Sequence, residues 1–201
     1  MRAGAVARVA PTVVGRWVRL GGVTIHQDHP FATPPELREP LRRLRGQLAA
    51  PVTVWTCGEL PRAYGWTVSS LMVADGNPAE VVGLLDRDTD FADALAEADR
   101  FSVNVLARGQ QQLAEVFADL APSPGGRFRT GEWIMTDWGP RLTDAVAWFG
   151  VRRDPEPGSS GWFWRVQGAI EAIEVPALPP EPLVHLRGQS RKPTIDSQGA
   201  R

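Results

Sequence analysis

Alternating side-chain types mark strands through the middle of the chain. Between residues 51 and 57, valines occupy one face and bulkier or polar residues the other, a period of two that is typical of a strand. Residues 65–74 and 79–85 are predicted as two more strands, joined by the turn Asp75-Gly76-Asn77-Pro78. Similar patterns predict further strands over residues 23–25, 100–107, 145–152, 162–175 and 183–186.

Apolar residues recur at helical spacing in three segments. Residues 33–36 have the spacing of a capping box, and leucines follow at positions 37, 41, 44 and 48. Two shorter helices are predicted over residues 89–98 and 110–120. Residues 127–144 carry no clear period and are predicted to be irregular.

The predicted strands outnumber the helices, and the helices do not alternate regularly with them. This order favours a mainly β, antiparallel barrel over a doubly wound parallel sheet, and no glycine-rich dinucleotide fingerprint follows a strand. We expect residues 1–30 to form an N-terminal arm, residues 31–188 a single domain, and residues 189–201 a disordered tail.

Composition narrows the class of protein. The 201 residues are 43% hydrophobic and 22% charged, which is typical of one globular domain. A formal net charge of −1 argues against nucleic acid or an anionic membrane as the main partner. There is no apolar run long enough to span a membrane, and the first residues are too interrupted for a secretion signal, so the expected location is cytoplasmic.

Few residues suit a metal site. Cys57 is the single cysteine, which excludes an internal disulfide and a multi-cysteine metal site, and its place in a strand predicts a small buried apolar residue. His26, Asp28 and His29 lie close together, but their short spacing on a loop makes a contact of the arm with a second copy the favoured alternative. No metal site is predicted.

Two neighbouring segments carry the most suggestive chemistry. Hydroxyl residues lie at positions 67, 69 and 70 of the predicted strand 65–74, and an arginine at 87 and a threonine at 89 mark the start of the next helix. Such a pattern suits a phosphate-bearing aromatic cofactor, because arginine and the N–H groups of a helix start both bind phosphate. The ordinary alternative is that the strand hydroxyls bind no ligand, that Asp88 or Thr89 only caps the helix, and that Arg87 is a solvated charge.

The motifs and their order over roughly residues 40–190 resemble the flavin reductase-like family. The likeness rests on residues 51–56, 65–70, 87–89, 101–106, 139–142, 147–148 and 182–188. It implies an antiparallel split β-barrel of the Greek-key type with a few flanking helices. Members of the family reduce FMN or FAD with NADH or NADPH and often supply partner flavin-dependent monooxygenases. They are usually homodimers that bind the flavin near the subunit interface.

The resemblance also implies a flavin site. Its cofactor-binding residues would be Thr67, Val68, Ser69, Ser70, Arg87, Asp88, Thr89, Asn104, Val105, Phe163 and His185. Arg87 would pair with the flavin phosphate, whereas Asn104 would either orient the flavin or only close a backbone hydrogen bond at a strand end. No catalytic side chain is predicted, since the cofactors carry the hydride chemistry themselves.

One motif departs from the family pattern. Many family reductases have a Gly-Asp-His triplet before the long penultimate strand, and this chain has Gly161-Trp162-Phe163 there. The leading hypothesis is an NAD(P)H-dependent FMN reductase, with FAD as the alternative flavin. If Phe163 lies where a nicotinamide stacks, the alternative is a protein that holds flavin, deazaflavin or haem without ordinary reductase turnover. A third hypothesis is a cofactor-free interaction module.

Overall fold

The structure is a computed structural model that describes residue 40, residues 44–156 and 158–186, and the backbone of residues 189–191. The predicted arm, the strand at 23–25, the histidine pair and the capping box lie outside the described residues. Residues 44–46 form a helical turn at the start of the continuous part.

Strands account for most of the regular structure. They are β1 (Ala50–Pro51), β2 (Thr53–Cys57), β3 (Tyr64–Val68), β4 (Leu71–Ala74), β5 (Glu80–Leu85), β6 (Arg100–Val105), β7 (Trp133–Thr136), β8 (Gly139–Leu142), β9 (Ala147–Arg153), β10 (Gly158–Ser160), β11 (Phe163–Glu174), β12 (Val184–Leu186) and β13 (Gln189–Arg191). Helix α1 covers Asp90–Glu97, helix α2 covers Gln111–Phe117, and a 3₁₀ turn covers Arg127–Arg129.

A large antiparallel sheet forms the framework. Its strand order is β3-β2-β6-β9-β11-β5-β4, and β10 pairs with the outer part of β11. The two strands at the ends of this order, β3 and β4, follow one another along the chain, so the sheet curls back on itself. At the junction, the N–H of Leu84 in β5 donates to the carbonyl of Ser70 at 2.9 Å. This curled half-barrel confirms the predicted fold class.

Two apolar clusters hold the sheet and helices together. The first lies between the sheet and α1, where Trp55 stacks on Phe101 with ring centroids 4.8 Å apart and Phe91 is fully buried. The second lies around α2, whose Leu113 and Phe117 are buried. Strand β2 is buried along its whole length because it lies between these two clusters. The alternating side chains of β2 therefore face two different apolar clusters, and neither face of the strand is exposed to solvent.

The structure corrects three predictions. Residues 127–144 are not irregular, because β7 and β8 form a hairpin within them. The predicted strand 65–74 is two strands, since the chain breaks at Ser69 and Ser70 to pass from one edge of the sheet to the other. In the predicted tail, β13 pairs with β12, so the strand pairing extends through residue 191.

Candidate functional site

The topology brings the predicted site segments to one end of the sheet. Thr53 is the antiparallel partner of both Val68 in β3 and Val105 in β6, so the ends of these strands lie in one row. Ser70 hydrogen-bonds Leu84, and the pairing of β11 with β5 places the start of β11 at the end of β5. Residues far apart along the chain therefore surround a common end of the half-barrel.

Five of the predicted residues form an accessible surface there. Ser69, Ser70, Arg87 and Asp88 are exposed, and Phe163 is half-buried. We call these five residues the serine–arginine surface. The Ser70 hydroxyl donates to the Leu84 carbonyl at 2.9 Å, which fixes its direction. The guanidinium of Arg45 lies 5.9 Å from the centroid of the Phe163 ring and covers one of its faces.

The start of α1 lies beside this surface. The Thr89 hydroxyl accepts from the N–H of Ala92 and donates to the carbonyl of Asp86, both at 3.1 Å. Thr89 is therefore the helix N-cap, and its only hydroxyl hydrogen is already used. The prediction that this side chain binds flavin is not supported, although the N–H groups of Asp90 and Phe91 at the start of the helix remain available as donors.

Two strand residues predicted to bind flavin point into the protein. The Thr67 hydroxyl donates to the carbonyl of Ala114 in α2 at 2.8 Å, which ties β3 to that helix. Val68 is 3% exposed and belongs to the first apolar cluster. Since successive strand side chains face opposite sides, one contacts the helix and the other the core. Neither side chain contributes to the serine–arginine surface.

Asn104 makes buried hydrogen bonds to two neighbouring strands. It is fully buried, its Nδ2 donates to the Val54 carbonyl at 3.1 Å, and its Oδ1 accepts from the Leu142 N–H at 2.7 Å. Both the nitrogen and the oxygen of the amide are therefore hydrogen-bonded to the backbone of neighbouring strands. This geometry favours the alternative of closing backbone hydrogen bonds, and the flavin-orienting role stays a prediction.

The last two predicted residues lie near the same end. Val105 is half-buried and packs against the first apolar cluster, so its side chain serves the core. His185 is half-buried and pairs with Ala50 in the small sheet β1-β12-β13. Because β1 leads into β2, His185 lies beyond the row that joins Val68 to Val105. It is not part of the serine–arginine surface as defined.

The sequence did not predict a network of ion pairs around Arg127. Arg127 makes a two-pronged contact with Asp119 at 2.7 Å, pairs with Asp90 at 2.9 Å, and lies 5.6 Å from the Trp66 ring centroid. It joins the loop after α2 to the first residue of α1. No local motif marks Arg127, because its partners come from another element and from a turn eight residues away.

The serine–arginine surface fits the phosphate of a flavin mononucleotide. Arg87 is exposed and forms no ion pair with another described residue, and it lies at the positive end of the α1 dipole. The nearby Asp86 carboxylate accepts from the N–H of Asp88 at 3.1 Å, so it is turned toward backbone. An available arginine beside free helix N–H groups is the donor set that phosphate requires.

Other types of site find no support in the part of the chain that the structure describes. There, no three His, Cys, Asp or Glu side chains are grouped so that they hold a metal ion. Among the described helices, none has the length and apolar character needed to cross a membrane.

A curled antiparallel half-barrel with few helices is the fold of the class of flavin reductase split barrels. The sequence model of the flavin reductase like domain matches residues 44–194. The chain therefore belongs to the flavin reductase-like family, and the resemblance predicted from its motifs is confirmed.

Relatives and solved structures agree with this membership. An NADH-dependent FMN reductase of Streptomyces nodosus subsp. asukaensis is 30% identical over 173 residues, which are 85% of this chain and 92% of the relative. The reductase component of a 4-nitrophenol 4-monooxygenase/4-nitrocatechol 2-monooxygenase of Rhodococcus opacus is 29% identical over 151 residues, 74% of this chain and 77% of the relative. The NADH:FAD oxidoreductase of Streptomyces globisporus, solved with NAD and FAD fragments, shares the fold with a TM-score of 0.73 and 24% identity, over 83% and 99% of the two chains.

Proposed function

We propose that this protein is a flavin reductase that uses NADH to reduce FMN or FAD. The observation that carries the proposal is Arg87, which forms no ion pair with a described residue and lies beside the start of α1, next to the exposed residues Ser69 and Ser70. Family membership and the activities named for the relatives support the same conclusion.

The protein's task in this reaction is binding and positioning. A bound flavin supplies the ring that accepts a hydride from the nicotinamide. Arg87 and the first N–H groups of α1 would hold the phosphate, while Ser69 and Ser70 offer hydroxyl and backbone groups to the polar parts of the flavin. Phe163, steadied by Arg45, would form an apolar wall that excludes water. No side chain has to move a proton in the hydride step.

We propose also that the reduced flavin serves a separate oxygenase. A relative from Rhodococcus opacus is the reductase component of a monooxygenase, which supports a two-component system. A homodimer is part of this proposal, as the family resemblance implies. The exposed side chains of Ile134 and Met135 on the β7–β8 hairpin, and of Ile173 near the end of β11, are apolar surface that a second copy would cover.

The phosphate role is tested by Arg87→Ala. Loss of a charged hydrogen bond should weaken FMN by about 1.5–3 kcal/mol and leave riboflavin, which lacks the phosphate, almost unchanged. Arg62→Ala is the matched control, because Arg62 is an exposed arginine on the loop before β3. Dissociation constants of both flavins, measured by fluorescence titration, check the expectation. Equal weakening of FMN and riboflavin would remove the phosphate role from Arg87.

Reduction is tested separately from binding. Under anaerobic conditions, NADH should bleach the absorbance of the flavin, and NADPH should do so more slowly if the coenzyme preference follows the named relatives. If flavin binds but neither nicotinamide bleaches it, the reductase proposal is wrong. The protein would then be a flavin holder, in line with Phe163 standing where family reductases carry a histidine.

A further inference from the structure

A cavity of about 560 Å³ lies where two loops meet beside the start of β3. One loop is residues 58–63, between β2 and β3, and the other is residues 119–129, after α2. We call it the loop cavity. Its volume is in the range of small-molecule sites. It shares no lining residue with the serine–arginine surface, which lies beyond the other end of β3, so the two are distinct sites.

The apolar part of the lining contains an anchored aromatic ring. The Phe128 ring packs against Phe117 and Trp133, whose ring centroids lie 5.2 and 5.1 Å away. These contacts hold the ring in place, yet Phe128 is only half-buried and part of its surface lines the cavity. Leu60 and Pro61 line the cavity from the other loop. An aromatic ligand suits this lining, because it gains both apolar burial and a ring–ring contact.

The charged part of the lining has one arginine available to a ligand. Arg127 is occupied, because its guanidinium contacts both carboxylate oxygens of Asp119 at 2.7 Å and pairs with Asp90 at 2.9 Å. Arg129 is exposed and forms no ion pair with a described residue. Its side chain lies against Gly125, with Cγ and Nε 3.6 and 3.7 Å from the place of a Cβ. Its stem therefore packs on backbone while its charge stays available.

A neighbouring carboxylate limits which anions the loop cavity accepts. Asp119 lines the cavity together with Arg129, and its negative charge acts on any anion bound there. A dianion such as a phosphate ester is repelled twice as strongly by Asp119 as a monoanion is, and Arg129 alone offsets that repulsion. A carboxylate carries one charge, and its two oxygens match the planar fork of donors of a guanidinium. The lining therefore favours a carboxylate over a phosphate.

We propose that the loop cavity binds a small aromatic carboxylate, a molecule of the benzoate type. Its carboxylate pairs with Arg129, and its ring packs against Phe128 and Pro61. This inference goes beyond the proposed function, because neither flavin nor nicotinamide takes part in it. It also stands independently of the serine–arginine surface, so the protein holds the aromatic acid and a flavin at the same time.

The test titrates benzoate calorimetrically into the purified full chain, where a dissociation constant of about 1 mM or lower is expected. Arg129→Gln removes the charge but keeps the stem that packs on Gly125, and it should weaken benzoate about tenfold. Arg62→Gln is the matched control, because Arg62 is an exposed arginine of the neighbouring loop that does not line the cavity. It should leave benzoate binding unchanged.

Two further ligands test the chemistry of the site. Acetate has the carboxylate without the ring, and phenyl phosphate has the ring with a dianion at neutral pH; both should bind more weakly than benzoate. Phe128→Leu keeps an apolar side chain in the second cluster but removes the flat ring, and it should weaken benzoate severalfold. Circular dichroism confirms that each variant is folded before it is titrated.

Four results would overturn the inference. These are no binding of benzoate by the wild-type chain up to about 20 mM, an equal effect of Arg129→Gln and Arg62→Gln, tighter binding of phenyl phosphate or acetate than of benzoate, and loss of benzoate binding when FMN is saturating. The last result would place benzoate in the flavin site. Calorimetry needs no catalytic turnover, so these outcomes are independent of whether the protein reduces flavin with NADH.

Discussion

At the scale of single residues, Asn104 provides the sharpest test of a structural against a binding role. Its amide serves the Val54 carbonyl and the Leu142 N–H in a fully buried position. Asn104→Ala removes the partner of the Leu142 N–H and the side-chain donor to the Val54 carbonyl, and should lower the free energy of unfolding by about 2–3 kcal/mol. Denaturant unfolding measures this loss. FMN affinity of the folded variant should be unchanged, and a weakened affinity at full stability would restore the flavin-binding role.

Cys57 is expected to be inert in the native protein. Burial, with a smaller contribution from the negative charge of Asp90, raises the pKa of its thiol to about 12. At pH 8 roughly one molecule in ten thousand then carries the reactive thiolate. An aromatic disulfide reagent should label Cys57 only at the rate of unfolding, and rapid labelling of the folded protein would contradict the burial. Labelling in denaturant serves as the control.

The hydrogen-bond partners of single residues decide which predicted site residues remain accessible. Ser69, Ser70 and Arg87 stay predicted site residues, because a chain break and a helix start leave them exposed. The helix start follows from local sequence, whereas the chain break was predicted as continuous strand. Thr67 and Asn104 have equally suitable side chains, but their partners, Ala114 and Leu142, come from distant parts of the chain. Sequence indicates which groups a residue can offer, whereas packing decides whether another part of the protein has already used them.

At the scale of elements, Gly83 in β5 permits the close approach of Trp55. A Cβ at this position would lie 2.5 Å from the edge of the indole, which is fully buried. Gly83→Ala should therefore destabilise the protein by about 2–3 kcal/mol through overpacking. Thermal or denaturant unfolding checks the value.

A second substitution makes this prediction specific. Adding Trp55→Phe reduces the ring that Gly83→Ala would strike, so the double variant should lose less stability than the sum of the two single variants. Strict additivity would show that the clash is not the cause.

The β7–β8 hairpin shows why element prediction failed in one region. Its side chains do not alternate between core and solvent, since Ile134 and Met135 are both exposed. Packing against distant residues holds the hairpin instead. Leu142 is buried in the second apolar cluster, and Trp138 packs on Gly150 of β9 so closely that a Cβ there would meet the indole at 2.4 Å. β2 was predictable because alternation of side-chain type runs through its whole length. A strand positioned by distant packing leaves no periodic signal.

At the scale of the whole molecule, Glu171 links several strands at a bulge in β11. Its carboxylate accepts hydrogen bonds from Arg152, Trp138 and Arg100, which lie in β9, the hairpin turn and β6. The hydrogen bond from Arg152 is the largest of the effects that hold the pKa of Glu171 below its usual range.

This shift predicts the direction of a pH effect. A lowered pKa in the folded state means that Glu171 contributes stability above the usual carboxyl pKa and loses it as the pH falls through the folded value. Glu171→Gln should therefore be less stable than the wild type at neutral pH, and the difference should vanish in acid. Denaturant unfolding across this pH range is the measurement. A difference independent of pH would mean that the charge of Glu171 is not its cause.

Global topology also limits how much of the Arg127 ion-pair network could be predicted from the sequence. The strand pattern and the motif order predicted the half-barrel, because both are local or sequential properties. Arg127 and Asp90 lie 37 positions apart, and only the folded arrangement of α1 and the loop after α2 brings them together. Contacts between elements so distant in the sequence cannot be predicted until the strands that carry them are in place.

The position of β11 has a consequence for biosynthesis. In the large sheet, β11 separates β9 from β5, although it leaves the ribosome after both. Until residue 174 has emerged, the nascent chain holds a β4–β5 hairpin and a β3-β2-β6-β9 segment whose facing edges have no partner. Unpaired edges are templates for pairing between chains. The growing polypeptide is thus most vulnerable to aggregation just before its twelve-residue central strand arrives and joins the two halves.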